Sequence, residues 1–333
     1  MTDSSGELRA TATVMRTQQV STPEAKNGCL VCGSQLKVAL TGLIDNRLGT
    51  PGSWEIRRCV ACGFEQTYPV PTLAELTELY ETHYNFGGQT NTFYTQLRER
   101  FLFSSVYRLW TGIDGDVAFH HRRGSGRLLD IGCNEGRGLR LYARNGFRVE
   151  GLELNETAAE VARDAGFQVH TCLLEEFNPA SGYDVAVLSN VLEHSLDPQK
   201  MLLDVHRVLA SGGQVWISCP NSRSWLREFF GRSWINWHVP FHISHFSAET
   251  LRSLLTETGY SQIEVQQVTP ALWVAQSSIA HLFAKPGCKT WQLRNPVLTF
   301  LFMAIARLFL FPKLWLENCR GRGDCLIAVA TRV

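Results

Sequence analysis

Residues 127–138, Arg127-Leu-Leu-Asp-Ile-Gly-Cys-Asn-Glu-Gly-Arg-Gly138, confine the chain to few folds. Leu128 to Ile131 form a short apolar run of strand type that stops at Gly132, and Gly136 and Gly138 lead into a helical pattern. A buried strand that ends in a glycine turn and feeds a helix makes a small-molecule cradle. Glycine lets the backbone approach a ligand, and the free N–H groups at the helix start offer donors and partial positive charge. Glu153 follows Gly132 by 21 residues, at the end of a second strand-like run from Phe147 to Leu154. A carboxylate there can accept both hydroxyls of a ribose.

From Arg127 onward, strand and helix patterns alternate. Strands are expected near 127–131, 147–154, 167–172, 183–190, 214–219, 262–268 and 325–332, with helices between the first five. Asn155 can cap the second helix, Asp197 with Pro198 opens another, and Ser247 opens the last. Gly146, Gly166, Gly212 and Gly259 stand where helix C-terminal glycines belong. The alternation predicts an α/β fold, a doubly wound, Rossmann-like sheet of seven strands over 127–333. Its last two strands are separated by an insertion, 269–324, whose core is the apolar run Val297 to Leu316. Arg307, Pro312 and Lys313 interrupt that run, and a crossing would strand the last β-segment across the bilayer from its sheet. A hairpin over a substrate pocket, a homodimer face and a helix lying on a membrane surface remain as readings of the insertion.

Upstream, residues 1–27 are polar and lack an apolar leader core, so a flexible tail and a cytoplasmic protein are expected. Cys29-Leu-Val-Cys32 and Cys59-Val-Ala-Cys62 follow, 26 residues apart, each pair trailed by a glycine. Two such knuckles present four thiolates, the donor set that suits tetrahedral Zn²⁺, and the run between them, with Asp45, Gly49, Pro51 and Gly52, suits a hairpin. Residues 28–70 therefore read as a zinc-ribbon module whose metal is structural, with a redox dithiol as the alternative. In the linker 71–126, Thr72 can cap a helix carrying Leu73, Leu76, Leu79 and Tyr80, with Tyr84 one turn beyond. A second helix is expected over Thr92 to Trp110, with Phe93, Leu97, Phe101 and Leu102 apolar. These aromatics either pack the ribbon onto the main domain or form a lid.

The glycine turn, the acid at Glu153 and a seventh strand after an insertion make the chain resemble the class I S-adenosylmethionine-dependent methyltransferases. Asp130-Ile-Gly-Cys-Asn-Glu-Gly136 looks like the family's first motif and Gly151-Leu-Glu153 like its second. Leu188-Ser-Asn-Val-Leu-Glu-His194 with Asp197-Pro198, and Gly212-Gly213 with the strand to Asn221, resemble the segments around the fourth and fifth strands. Phe241-His-Ile-Ser-His-Phe-Ser247 and Gly321-Arg-Gly-Asp324 look like the subgroup that joins an amino-terminal zinc ribbon to this core. Asn134 replaces the usual middle glycine, and asparagine tolerates positive φ better than other non-glycine residues. A dinucleotide fingerprint fits worse, since Asn134 and Arg137 would occupy its second and third glycine positions.

The resemblance implies that Gly132, Asn134 and Gly136 cradle the methionine part of S-adenosyl-L-methionine, with Asp130 near its amino group. It places Glu153 on the ribose, Leu173 and Leu174 beside the adenine, and Asn190 under the sulfonium. Methyl transfer to a hydroxyl also needs a base. His194, at the carboxyl end of the fourth strand, and His242, among His238 and His245 on the segment after the fifth, are the candidates. Each could equally be a core histidine, and Glu193-His194 with His242 could instead bind a second metal. With a net charge of +1 the chain shows no footprint for a nucleic-acid backbone. The expected acceptor is a small molecule, glycan-like or lipid-linked, methylated on oxygen or carbon. An RNA methyltransferase whose ribbon grips nucleic acid, and a non-catalytic cofactor-binding subunit, are the competing readings.

Overall fold

A computed structural model describes residues 28–83 and 100–333. The tail 1–27 and the linker positions Tyr84, Thr92, Phe93 and Leu97 lie outside the described residues. Between the cysteine pairs, β1 (Leu36–Leu43) and β2 (Trp54–Cys59) form the expected antiparallel hairpin, and β3 (Glu65–Tyr68) adds to β2. Helix α1 (Leu73–His83) starts after Thr72. The next helix does not run unbroken from Thr92 to Trp110. Residues 100–102 are helical, the chain turns at Phe103 and Ser104, and α2 (Ser105–Asp114) begins afresh, the Ser104 side chain accepting the Tyr107 N–H at 3.2 Å, and ends past Trp110 with Gly115 as its cap.

The core follows as β4 (Arg127–Ile131), α3 (Arg137–Arg144), β5 (Arg148–Leu152), α4 (Glu156–Asp164), β6 (Gln168–His170), β7 (Tyr183–Ser189), α5 (Pro198–Val208) and β8 (Leu209–Pro220). Then come α6 (Trp225–Phe230), β9 (Ser244–His245), α7 (Ala248–Glu257), β10 (Tyr260–Val268), α8 (Ala271–Phe283), α9 (Pro296–Leu308), α10 (Phe311–Cys319) and β11 (Cys325–Arg332). Seven strands make one sheet in the order β10-β11-β8-β7-β4-β5-β6, and β11 alone runs antiparallel to its neighbours. Alternate residues face opposite layers. Leu129, Ile131, Ala186, Leu188 and Ile217 pack against Leu202 of α5 and Leu251 of α7, whereas Leu128, Val185, Val187 and Trp216 pack against Phe119, Tyr142 and Phe147.

Two expectations are corrected here. Among the described residues no helix joins β6 to β7. Instead the segment makes a turn in which Phe177 donates its N–H to the Leu174 carbonyl, and Arg207 of α5 donates to the carbonyls of Leu174 and Phe177, each at 2.9 Å. Gly212 is no helix cap either. Helix α5 ends at Val208, and Gly212 (φ 75°) lies inside β8, where the register against β7 jumps from Tyr183/Leu209 to Val185/Gln214. Positive φ there serves a bulge.

The ribbon and the core share a sheet, because β9, from the segment after β8, pairs with the free edge of β3 through Glu65/His245 and Gln66/Ser244. A second apolar core lies beneath that junction. It unites Leu43 and Ile56 of the ribbon, Trp234 and Trp237 of the post-β8 segment, and Ala271, Ala306 and Leu314 of the insertion. Arg307, which interrupts the apolar run, forms a mostly buried ion pair with Asp114 of α2, whose carboxylate also accepts the Ala271 N–H at 2.9 Å.

Candidate active site

The loop after β4 is closed by its own chemistry. Gly132 (φ 74°) donates its N–H to the Leu152 carbonyl at 2.7 Å, and a Cβ on it would stand 2.9 Å from Val191 Cγ2. The close approach brings the loops after β4 and β7 together at the carboxyl edge, where the winding of the sheet reverses. Asn134 takes φ 49°, the left-handed conformation its side chain was expected to tolerate, and its Oδ1 accepts the Glu135 N–H at 2.7 Å. Gly136 (φ 75°) starts α3, and a Cβ there would press to 2.8 Å on Ala162 of α4.

Glu153 spans the cradle. One carboxylate oxygen accepts the Asn134 N–H and the other the Asn155 N–H, both at 2.9 Å, so the acid also fixes the loop that faces it. Asp130 is buried at the end of β4, and burial, with the nearby Glu153 charge, pushes its carboxyl up to about 7. Leu173 is exposed after β6, whereas Leu174 packs against the core. Asn190, just past β7, takes φ 55° and donates its N–H to the Ser218 carbonyl at 2.9 Å.

Three residues beyond Asn190, a 3₁₀ turn holds Glu193 and His194. The segment after β8 brings His242 against them, the His194 and His242 rings being 4.7 Å apart. His194 Nδ1 lies 3.0 Å from the Phe241 carbonyl and 2.8 Å from the Tyr80 hydroxyl, and His242 Nδ1 lies 2.8 Å from the Asn236 carbonyl. Burial holds His194 down to about 4 and His242 well below its ordinary value, so both rings are neutral at neutral pH. His245 sits differently. Thr67 of β3 donates its hydroxyl to the His242 carbonyl at 2.6 Å and accepts from His245 Nε2 at 2.9 Å, which makes His245 a structural tie between ribbon and core.

Sequence reasoning assigned no role to Thr67, linked Tyr80 to no histidine, and left Asp324 without a function. Asp324, wholly buried at the start of β11, accepts from Ser224 Oγ, from Trp234 Nε1 at 2.8 Å and from Asn236 Nδ2 at 3.1 Å. Burial pushes its carboxyl up to about 7 against those three donors, and the arrangement fixes the backbone that carries His238 and His242. The Gly321-Arg-Gly-Asp324 motif was the available signal. In the ribbon, the four thiol sulfurs converge, with Cys29–Cys62, Cys32–Cys59 and Cys32–Cys62 separations of 3.7, 3.4 and 3.5 Å.

A seven-stranded sheet with its one antiparallel strand entered last, and with a glycine turn facing an acid at its carboxyl edge, defines a class I S-adenosylmethionine-dependent methyltransferase. The chain belongs to the methyltransferase domain family, which matches residues 94–265, more than half of its length. Among curated proteins it is similar to the ubiquinone biosynthesis O-methyltransferase of Klebsiella pneumoniae, with 29% identity over 163 residues that cover 41% of this chain and 67% of the relative. Among solved structures it is similar to the 1,6-didemethyltoxoflavin-N1-methyltransferase of Burkholderia thailandensis, with 16% identity, 89% of this chain and 100% of that one covered, and a TM-score of 0.46. The phosphoethanolamine N-methyltransferase 2 of Haemonchus contortus, in complex with S-adenosyl-L-methionine, has 16% identity, 80% and 62% coverage, and a TM-score of 0.46.

Proposed function

We propose that the enzyme methylates a hydroxyl oxygen of a small acceptor that carries an apolar or lipid-linked part. The observation that carries this reading is the outer face of the insertion. Val297, Phe300, Leu308, Phe309 and Trp315 are each more than half exposed, while Ala306 and Leu314 of the same helices enter the second core beside Trp234 and Trp237. An exposed apolar face thus adjoins the segment that bears the site histidines. Of the basic residues in 284–323, Arg307 is paired with Asp114 and Lys313, Arg320 and Arg322 with Glu317, while Lys285, Lys289 and Arg294 have no carboxylate partner among the described residues. Basic residues around exposed aromatics suit the surface of an anionic bilayer. Helices α9 and α10 meet at 69° and neither is long enough to cross a membrane. The name of the Klebsiella relative, an O-methyltransferase, supports oxygen as the acceptor atom.

In this reading the cofactor supplies a methyl group already activated on a sulfonium, and the chain aligns the acceptor for in-line displacement. Gly132, Asn134 and Gly136 would line the methionine part, the two glycines permitting the close approach of Val191 and Ala162 that shapes the turn. Asp130 would lie near its amino group and Asn190 under the sulfonium. Glu153, with lone pairs left after its two loop contacts, would hold the ribose, and Leu173 and Leu174 the adenine. The Nε2 atoms of His194 and His242 are the basic atoms offered to the acceptor. We also infer that Cys29, Cys32, Cys59 and Cys62 hold a structural Zn²⁺, since four thiolates at Zn–S bonds of about 2.3 Å in a tetrahedron lie about 3.8 Å apart.

Three measurements test this reading. With labelled S-adenosylmethionine and a cell extract divided into lipid, small-molecule, glycan, RNA and protein fractions, label is expected in the lipid or small-molecule fraction. Label in RNA overturns the acceptor class. Glu153→Ala is expected to weaken cofactor binding by calorimetry about 10- to 150-fold, the equivalent of one charged hydrogen bond of about 1.5–3 kcal/mol. Equal affinity removes Glu153 from the site. The full chain should float with anionic phospholipid vesicles, and Phe300→Ser with Phe309→Ser should cut the floated fraction several-fold. A dimer by sedimentation, without flotation, assigns the face to a second copy.

A further inference from the structure

Glu193 is 1% exposed, and among the described residues neither of its carboxylate oxygens has a hydrogen-bond partner. Leaving a carboxylate buried and unpaired is expensive, and folded proteins resolve it by protonation or by a bound cation. Its surroundings favour the cation. Carbonyl oxygens only accept, so His242 Nδ1, facing the Asn236 carbonyl, carries the proton and its Nε2 keeps its lone pair; the same tautomer of His194, with Nδ1–H shared between the Phe241 carbonyl and the Tyr80 hydroxyl, would free its Nε2 as well. A backbone carbonyl on one ring nitrogen is how proteins orient an imidazole whose other nitrogen binds metal. One ligand atom from each of Glu193, His194 and His242 lies within 4.8 Å of the others. The backbone is fixed as well, since Ile243 donates its N–H to the Glu193 carbonyl at 2.8 Å.

We infer that Glu193, His194 and His242 bind one divalent transition-metal ion, distinct from the metal of the four cysteines. Two imidazoles and one carboxylate select first-row transition metals over Mg²⁺ or Ca²⁺, and three protein ligands leave coordination positions for water or an acceptor oxygen. His194 is the least buried member of the set, and the Tyr80 hydroxyl of α1 lies 2.8 Å from its Nδ1. A role toward the acceptor rests on the methyl-transfer reading above, and an ion bound here would take both Nε2 lone pairs, so it would replace the two imidazoles as free bases. Binding itself is measured without cofactor or acceptor, so either can fail alone.

The test titrates zinc-loaded, full-length protein with cobalt(II). One further equivalent per chain is expected, with weak ligand-field absorption and no thiolate charge-transfer band. Glu193→Gln and His242→Gln should each weaken that equivalent at least about tenfold while the four-cysteine zinc stays bound. Glu193→Gln removes only a charge, and retained S-adenosylmethionine affinity reports its fold. No further equivalent in the wild type, a thiolate band on titration, or unchanged binding in a folded Glu193→Gln protein overturns the site.

Discussion

Replacing Cys29 and Cys59 together with serine is expected to release one zinc per chain and to abolish methyl transfer while leaving S-adenosylmethionine affinity within a few-fold of the wild type. Structural zinc contributes about 10–16 kcal/mol in zinc-finger peptides, far more than a three-stranded ribbon can recover from its own burial. Its loss should therefore unfold β1–β3. Damage then passes to the post-β8 segment, because Thr67 holds the His242 carbonyl and His245, and because Glu65 pairs with Arg227 at 2.8 Å. The cradle proposed for the cofactor is built on β4 and β5, and its hydrogen bonds among the described residues run between Gly132, Asn134, Leu152, Glu153 and Asn155, none from the ribbon. Metal analysis, thermal melting and cofactor calorimetry separate the two effects. A metal-free protein with an unchanged melt would sink the ribbon assignment, and parallel loss of cofactor affinity would refute the division of labour.

The second large effect concerns Asp324. With Asp324→Ala, Ser224 Oγ, Trp234 Nε1 and Asn236 Nδ2 lose their acceptor in a fully buried place. An orphaned buried donor costs about 1–3 kcal/mol, and partial relaxation among the three brings the expected total to about 3–5 kcal/mol. At roughly 2–4 °C per kcal/mol for a large domain, the melting temperature should fall by about 10 °C. Asp324→Asn, which keeps one acceptor oxygen, should lose less than half of that. An alanine variant that melts within 2–3 °C of the wild type, a shift of about 1 kcal/mol, would show that the network stabilises little.

The strands of the core were legible because a buried parallel strand is written locally, as at Leu128–Ile131 and Tyr183–Ser189, and so were the caps at Asn155, Asp197 and Ser247. Asn134 was legible for a similar reason, since the turn demands positive φ and few residues accept it. What failed depended on distant partners. Helix was expected between β6 and β7 from the alternation of strand and helix, and there Arg207 donates from elsewhere to the Leu174 and Phe177 carbonyls. Arg307 looked like a break in a hydrophobic run, and its partner Asp114 lies 193 residues away. No periodicity could show that β9, two residues long, completes the ribbon, or that the carboxylate of Glu193 is buried without a hydrogen-bond partner among the described residues.

The pairing of β3 with β9 also has a consequence for how the chain is made. As synthesis proceeds from the amino terminus, the ribbon emerges some 180 residues before Ser244 and His245, leaving the N–H and C=O groups along one side of Glu65–Tyr68 open until the core arrives. An uncovered strand edge is a template for the wrong neighbour. A fragment ending before β9 would keep all four cysteines and still carry that open edge, so the ribbon needs the catalytic core as its shield against aggregation.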